Sequence, residues 1–177
     1  MSELAVFIVV LLLMPLVAPV LDHASASYHV SPAPDLSPQL GSSSDWSSWA
    51  STAWAYYQAY PIQVGVNSAT GLHRATLSWH CFSDWDLGSY IYAIIYARKL
   101  NLITDSGTWQ FDYRINKILT FLQTRVLGTN NAPYLAYEWA TGGVCSDLAG
   151  VPTNAADSGR LLAALYALKT FSPGYAP

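Results

Sequence analysis

Two segments of this chain, residues 87–100 and 155–170, are apolar on nearly every side when they are arranged as a helix. A helix at a protein surface keeps a polar face toward water, so a helix that is apolar all round must be enclosed by other elements. Both segments therefore predict inner helices. The remaining elements of the chain have to cover them.

The two inner segments match each other at an offset of 71 residues, which indicates an internal repeat. The matched positions are Asp86, Gly88, Ile91, Ala93 and Ile94 in the first segment and Asp157, Gly159, Leu162, Ala164 and Leu165 in the second. Ser83 and Asn154 stand three residues before the two aspartates. This spacing is typical of a capping box at a helix start.

Two further helices are predicted by apolar residues at three- and four-residue spacing. Residues 46–60 form the first, with Asp45 as its N-cap and Pro61 at its end. Residues 111–126 form an amphipathic outer helix, and Gly128 stands where a C′ glycine is expected. The polar side of this outer helix comprises Asp112, Arg114, Lys117, Gln123 and Arg125.

The intervening segments, residues 62–82 and 129–153, are broken by glycines and prolines and predict long loops. The first loop is expected to be irregular or to form a small β-hairpin, and a strand is expected at residues 133–139 in the second. The expected fold is mostly α, a partial α/α toroid of alternating inner and outer helices with long loops. A plain helical bundle is the alternative.

The N-terminus predicts export. Residues 4–21 are uncharged and almost wholly apolar, and residues 24–26 read Ala-Ser-Ala, a pattern that a signal peptidase can cleave. Residues 1–26 are therefore interpreted as a signal peptide. A retained membrane anchor is the alternative, because this segment contains Glu3 and lacks the Lys or Arg that usually precedes the apolar part of a signal peptide. Residues 27–45 are a Ser/Pro-rich linker, and residues 46–177 form the helical domain.

The charged residues and the cysteines of the chain exclude some classes of binding partner. The chain has eight Lys and Arg and eleven Asp and Glu, and its basic residues do not form a cluster. Binding to nucleic acid is therefore not expected. Contact with a membrane is expected only through residues 4–21, if they are not cleaved. Cys81 and Cys145 predict a disulfide in an oxidising compartment. A metal site is not favoured, because His73, His80 and the cysteines lack the usual ligand spacings.

Residues 83–90 (SDWDLGSY) and 97–103 (ARKLNLI) resemble an exported family known as a domain of unknown function, numbered 3131. The resemblance extends over about residues 46–177. It implies an α/α toroid related to glucoamylase-like glycoside hydrolases, of which this chain corresponds to about the first half, and carbohydrate as the ligand. Ser83 stands where the family usually has Thr.

Four carboxylates are candidates for glycoside hydrolysis. Asp86 and Asp157 open the inner helices, whose N-termini line the substrate mouth in such toroids, and they would serve as base or nucleophile. Glu138 lies between Tyr137 and Trp139, and an aromatic setting suits a general acid. Asp84 ranks second. The alternatives are helix capping for the aspartates and an exposed loop position for Glu138.

Candidates for stacking on sugar rings are Trp79, Trp85, Tyr137 and Trp139, although aromatic residues of helical proteins more often belong to the core. We therefore expect an extracellular or cell-surface domain that binds or acts on polysaccharide or another glycan. The alternative is a non-catalytic structural or interaction subunit of a cell-surface assembly. Because a single outer helix cannot cover two inner helices, we also expect self-association or a partner chain that completes the fold. No cofactor is expected.

Overall fold

The computed structural model describes residues 43–59, 64–103 and 107–175. The chain divides into two compact units, Met1–Gln39 and Leu40–Pro177, and every described residue belongs to the second unit. The predicted export segment at residues 1–26 and most of the predicted linker therefore lie outside the described residues, as does Pro61. Within the described ranges no helix has the length and hydropathy needed to cross a bilayer.

The described part of the chain is mostly helical, as predicted. Its helices are α1 (Ser43–Ala55), α2 (Asp84–Lys99), α3 (Phe111–Thr124) and α4 (Ala155–Phe171). Two short strands, β1 (Cys81–Ser83) and β2 (Ala136–Glu138), pair antiparallel with Cys81 opposite Glu138. The small sheet thus joins segments that are far apart in the sequence. Within the first loop the chain forms two isolated antiparallel bridges, Val66 with His73 and Thr76 with Trp79.

Helices α2 and α4 lie side by side and run in the same direction. A Cβ atom added to Gly88, near the start of α2, would stand 3.0 Å from the carbonyl oxygen of Arg160, near the start of α4. At the other end, Lys99 Nζ lies 5.5 Å from the ring centroid of Phe171. The close approach at Gly88 requires glycine, because the neighbouring atoms are backbone. The repeated segments are therefore a parallel pair of helices in contact.

Helix α3 runs opposite to this pair. Phe111 at its start lies 5.5 Å from Phe171 between ring centroids, and Arg125 just beyond its end pairs with Asp84 at the start of α2. Ile115 and Ile118 from its apolar stripe are fully buried. The predicted stripe is therefore buried in its first half, whereas Val126 lies beyond the helix and is 56% exposed.

Several predicted helix ends differ from the structure. Helix α1 ends at Ala55, and beyond it the Tyr57 N–H donates to the Trp54 carbonyl, three residues earlier, at 2.9 Å. Asp45 lies in its first turn and is not the N-cap. Helix α3 ends at Thr124, and Gly128 precedes the short 3₁₀ helix Thr129–Asn131, so it is not a C′ glycine.

Enclosure of the inner helices is asymmetric. In α2, Leu87, Ile91 and Ile94 are fully buried, as expected of an inner helix. In α4 the side chains toward α2 are buried, but Leu162 remains 68% exposed and Tyr166 71% exposed. In the described part of the chain the prediction of complete enclosure is therefore wrong for α4, and it is also wrong for α2 at Tyr96, which is 56% exposed.

The predicted disulfide is present. Cys81 and Cys145 are bridged, with their Cα atoms 5.9 Å apart, and both residues are fully buried. The bridge ties β1 to the loop that follows β2. It therefore anchors the sheet at the end of the molecule where α2 begins.

Replacing both cysteines by serine is expected to lower the free energy of unfolding by about 2–4 kcal/mol, since the bridge closes a long loop in the unfolded chain. The two positions are separated by 64 residues. Urea unfolding measures the loss. Adding a reductant should bring the wild type to the same midpoint and leave the double variant unchanged. A reductant effect on the variant, or none on the wild type, would contradict the assignment.

Candidate functional site

The structure places the four predicted carboxylates at one end of the helix pair. Strand β1 leads directly into α2 and pairs with β2, and the first turn of α4 lies beside the first turn of α2. We call this region the acidic end, and it comprises Asp84, Asp86, Glu138 and Asp157. What each carboxylate contacts decides the chemistry that is open to it.

Asp86 and Asp157 both lie at helix caps. Asp86 Oδ2 accepts the Ser83 N–H and the Ser83 hydroxyl, each at 2.9 Å, and the Asp86 N–H donates to Ser83 Oγ at 3.4 Å. This is a complete capping box. At the start of α4 the Asp157 N–H donates to Asn154 Oδ1 at 2.9 Å. The contacts of the Asp86 carboxylate match the capping alternative, whereas at α4 the cap is the Asn154 side chain and the Asp157 contact is made by the backbone.

Asp84 is not the solvated neighbour of Asp86 that its spacing suggests, because it is only 1% exposed. Its Oδ1 accepts a hydrogen bond from Arg125 Nη1 at 2.5 Å. Burial raises the pKa of the Asp84 carboxyl, and Arg125 opposes that increase. The pair links the start of α2 to the residue that follows α3, so it holds the two helices in register.

Glu138 pairs with an imidazole. Its Oε1 stands 3.0 Å from His80 Nε2, and both side chains are partly exposed. His80, Cys81 and Cys145 also place their potential ligand atoms within 4.8 Å of one another. In the disulfide form the two sulfurs are not thiolates, which are the species that bind metal.

The predicted aromatic residues fall into different environments. Tyr137 is fully buried, and its hydroxyl donates to the Val126 carbonyl at 2.8 Å, so it belongs to the core and not to a binding surface. The Trp79 indole donates to Asp147 at 3.1 Å, and Arg74 lies 4.7 Å from the Trp139 ring centroid. Trp85 remains 47% exposed. Of the four, Trp85 is thus the most accessible for stacking.

His73 is a core residue. It is 2% exposed and lies against the rings of Tyr57, Phe82 and Tyr90. Burial lowers its pKa to about 3. The imidazole is therefore neutral at physiological pH and is shielded from solvent.

A groove of 600 Å³ runs between α2 and α4, and sequence reasoning did not predict it. Its walls include Tyr92, Tyr96, Lys99, Tyr166 and Phe171. We call it the aromatic groove. Its floor and walls come from helices whose sequences are 71 residues apart, so only their parallel packing creates it.

The aromatic groove continues as a row of rings and cations along α2. The Arg160 guanidinium lies 5.3 Å from the Trp85 ring centroid and 5.0 Å from that of Tyr92. Tyr92 and Tyr96 are stacked with their centroids 6.5 Å apart, and Lys99 Nζ lies 5.5 Å from the Tyr96 centroid. The row thus leads from the acidic end toward the end of α2.

One sequence signal could have found half of this row. Trp85, Tyr92 and Tyr96 are separated by seven and four residues, which places them on one face of a helix. The dominance of apolar residues around the rest of α2 concealed that face. The contribution of Arg160 and Tyr166 could not be found in this way, because it depends on how α4 docks.

A second groove, of 630 Å³, lies between α3 and α4. Leu119 and Leu122 of α3 and Leu162 and Leu165 of α4 line it, and Tyr166 stands at its border with the aromatic groove. We call it the leucine groove. Neither groove is lined by a carboxylate of the acidic end.

Comparison with known proteins gives one finding. Searches of curated proteins and of solved structures gave no match. A family model matches residues 48–177, a range that contains the acidic end and both grooves. The chain therefore belongs to the family described as "Protein of unknown function (DUF3131)".

Proposed function

We propose that this chain is an exported, non-catalytic domain that binds glycan through the aromatic groove. The observation that carries the proposal is the row of Trp85, Arg160, Tyr92, Tyr96 and Lys99, in which the last three residues line the open groove. The C–H face of a pyranose ring is apolar and packs on the electron-rich face of an aromatic ring. The two cations supply hydrogen-bond donors for sugar hydroxyls.

Binding is favoured over hydrolysis by the contacts of the carboxylates. Glycoside hydrolysis needs two carboxyl groups that flank the scissile bond, about 5–5.5 Å or about 6.5–9.5 Å apart. Here Asp86 is engaged by its cap, Asp84 is buried against Arg125, and Glu138 is bonded to His80. A hydrolase with Glu138 as acid and Asp86 or Asp157 as base is the competing proposal.

Two further statements belong to the proposal. Export is supported by the apolar segment and the cleavage pattern within residues 1–26, together with the buried disulfide. A partial α/α toroid, with glucoamylase-like relatives, is supported by the parallel pair α2 and α4 with α3 running opposite. This alternation of direction is what one segment of such a ring needs.

The test is a glycan-binding screen with the variants Trp85→Ala and Tyr96→Ala. Each lost stacking contact is expected to weaken binding about 3- to 10-fold, in line with about 0.5–1.5 kcal/mol per aromatic contact. Trp49→Ala is the matched control, because Trp49 is 55% exposed on α1 and does not line the groove. A panel in which the wild type binds no glycan, or in which Trp49→Ala weakens binding equally, would refute the proposal.

Hydrolysis is followed in the same screen. If the wild type releases reducing ends and Glu138→Gln abolishes the release while the fold is retained, the hydrolase proposal replaces the binding proposal. If the wild type neither binds nor cleaves glycan, the structural or interaction subunit is favoured. The exposed face of α4 and the leucine groove are the observations that support that alternative.

A further inference from the structure

Three residues around the disulfide have side chains of the kind that bind metal ions. His80, Cys81 and Cys145 each place one potential ligand atom within 4.8 Å of the other two. The spacing in the sequence does not reveal this cluster, because Cys145 stands 64 residues after Cys81. The glycan site proposed above uses none of the three residues.

Backbone hydrogen bonds hold this cluster without help from the bridge. The Cys145 N–H donates to the Ala136 carbonyl of β2 at 3.0 Å, and the Trp139 N–H donates to the His80 carbonyl at 3.0 Å. Strand β1, which contains Cys81, is itself paired with β2. These contacts remain when the disulfide is reduced. The two thiols of the reduced chain therefore stay side by side, next to the imidazole.

The imidazole of His80 is oriented as in many metal sites. Its Nε2 stands 3.0 Å from Glu138 Oε1, which leaves Nδ1 for a metal ion. Histidines that bind metal commonly donate their other ring N–H to a carboxylate, which fixes the tautomer and the ring orientation. The His80 side chain is 48% exposed, so an ion and a water molecule can reach the cluster from solvent.

We propose that the reduced chain binds one zinc ion through the Cys81 and Cys145 thiolates and the His80 imidazole, with water as the fourth ligand. Two thiolates and an imidazole favour zinc over the harder ions of magnesium and calcium. Ligand atoms on one tetrahedral zinc ion are about 3.3–3.8 Å apart, given bonds of about 2.0–2.3 Å. Small rotations of the side chains bring the three ligand atoms to this spacing.

Zinc and the disulfide exclude each other, because both use the same two sulfurs. A phosphine opens the bridge by a two-electron reduction that consumes one water molecule, and it yields the phosphine oxide and two thiols. Each thiol releases its proton when zinc binds. A small-molecule disulfide reverses the change: it takes two electrons and two protons to become two thiols, the bridge forms again and zinc leaves. Chains carry thiols until they meet oxidising conditions, so the zinc form precedes the bridged form.

Zinc titration of the full chain, against a competing chromophoric chelator, tests the proposal. After reduction by a phosphine the wild type should bind one zinc ion, whereas the bridged wild type should not compete with the chelator. The bridged chain is the matched control, because it carries the same His23 and His29, which lie outside the described residues. In the reduced form, Glu138→Ala should weaken binding about 10- to 100-fold, and His80→Ala should weaken it at least as much.

Cobalt(II) in place of zinc identifies the ligands. The reduced wild type should show thiolate-to-cobalt charge-transfer absorption, and a small-molecule disulfide should abolish it. Circular dichroism follows the fold, and if reduction alone unfolds the chain, zinc should restore the helical signal in the wild type but not in His80→Ala. A reduced wild type that binds no zinc, or that binds it no more tightly than His80→Ala, would overturn the proposal.

Discussion

Replacing Arg114 by methionine is expected to lower the free energy of unfolding by on the order of 5 kcal/mol, because several buried acceptors lose their donor at once. Arg114 is 4% exposed. Its Nε donates to the Trp109 carbonyl at 2.9 Å, and its Nη1 donates to the Tyr57 carbonyl at 2.8 Å and to Tyr90 Oη at 3.1 Å. The guanidinium therefore joins α3 to α2 and to the segment after α1.

Aromatic contacts add to the expected loss. The guanidinium carbon lies 5.0 Å from the Trp54 ring centroid and 5.2 Å from that of Trp109. A buried cation gains about 2 kcal/mol from a contact with an aromatic ring. Lysine should not replace Arg114, because an ammonium group cannot reach three acceptors in the planar geometry of the guanidinium.

Urea unfolding of Arg114→Met, Arg114→Lys and the control Lys117→Met measures this effect. Lys117 lies on the same helix, and its ammonium donates to the exposed Ala69 carbonyl at 3.0 Å. The control should therefore change the free energy of unfolding by less than about 1 kcal/mol. If Arg114→Met cost no more than the control, the guanidinium would not be holding these elements together.

Replacing Arg125 by glutamine is expected to cost about 3–5 kcal/mol at pH 7, because it leaves the Asp84 carboxylate buried without its cation. Burial already raises the pKa of Asp84 and Arg125 opposes it, so the folded-state pKa rises further in the variant. A carboxyl with a folded-state pKa above its unfolded value stabilises the fold while protonated, and this contribution is lost as the pH rises through the folded-state pKa. The deficit of the variant should therefore shrink as the pH falls toward about 4.

The measurement is the difference in unfolding free energy between Arg125→Gln and the wild type at pH 7 and at pH 4.5. Comparison at the same pH removes the effect of His73, whose pKa burial lowers to about 3, so that its protonation opposes folding of both proteins in acid. Asp84→Asn in the variant background serves as the control and should remove the pH dependence of the deficit. A deficit that is equal at both pH values would contradict the assignment.

Features that depend on near neighbours were predictable from the sequence. The capping box at Ser83 and Asp86 depends on residues three positions apart, and the structure confirms it. The apolar stripe of α3 follows from the helical repeat, and its Phe111, Ile115 and Ile118 are buried as expected. The bridge between Cys81 and Cys145 was predictable because the chain has two cysteines and predicts export.

Arg114 shows why the remaining features were not predictable. It was assigned to the polar side of α3 because arginine is usually solvated, yet it is buried. Two of its acceptors belong to residues 24 and 57 positions away, and no local pattern marks them. Asp84 is a similar case, since its partner Arg125 stands 41 residues away.

The sequence by itself determined which segments are helices, where α2 and α4 begin and which cysteines pair, because these depend on helical periodicity, short spacings and redox environment. Only the tertiary structure decided which face of each helix is covered. Periodicity shows which side chains share a face but not what lies opposite that face. The docking of α4 on α2 at Gly88 joins segments 71 residues apart, and this docking alone creates the aromatic groove and leaves Leu162 and Tyr166 in solvent.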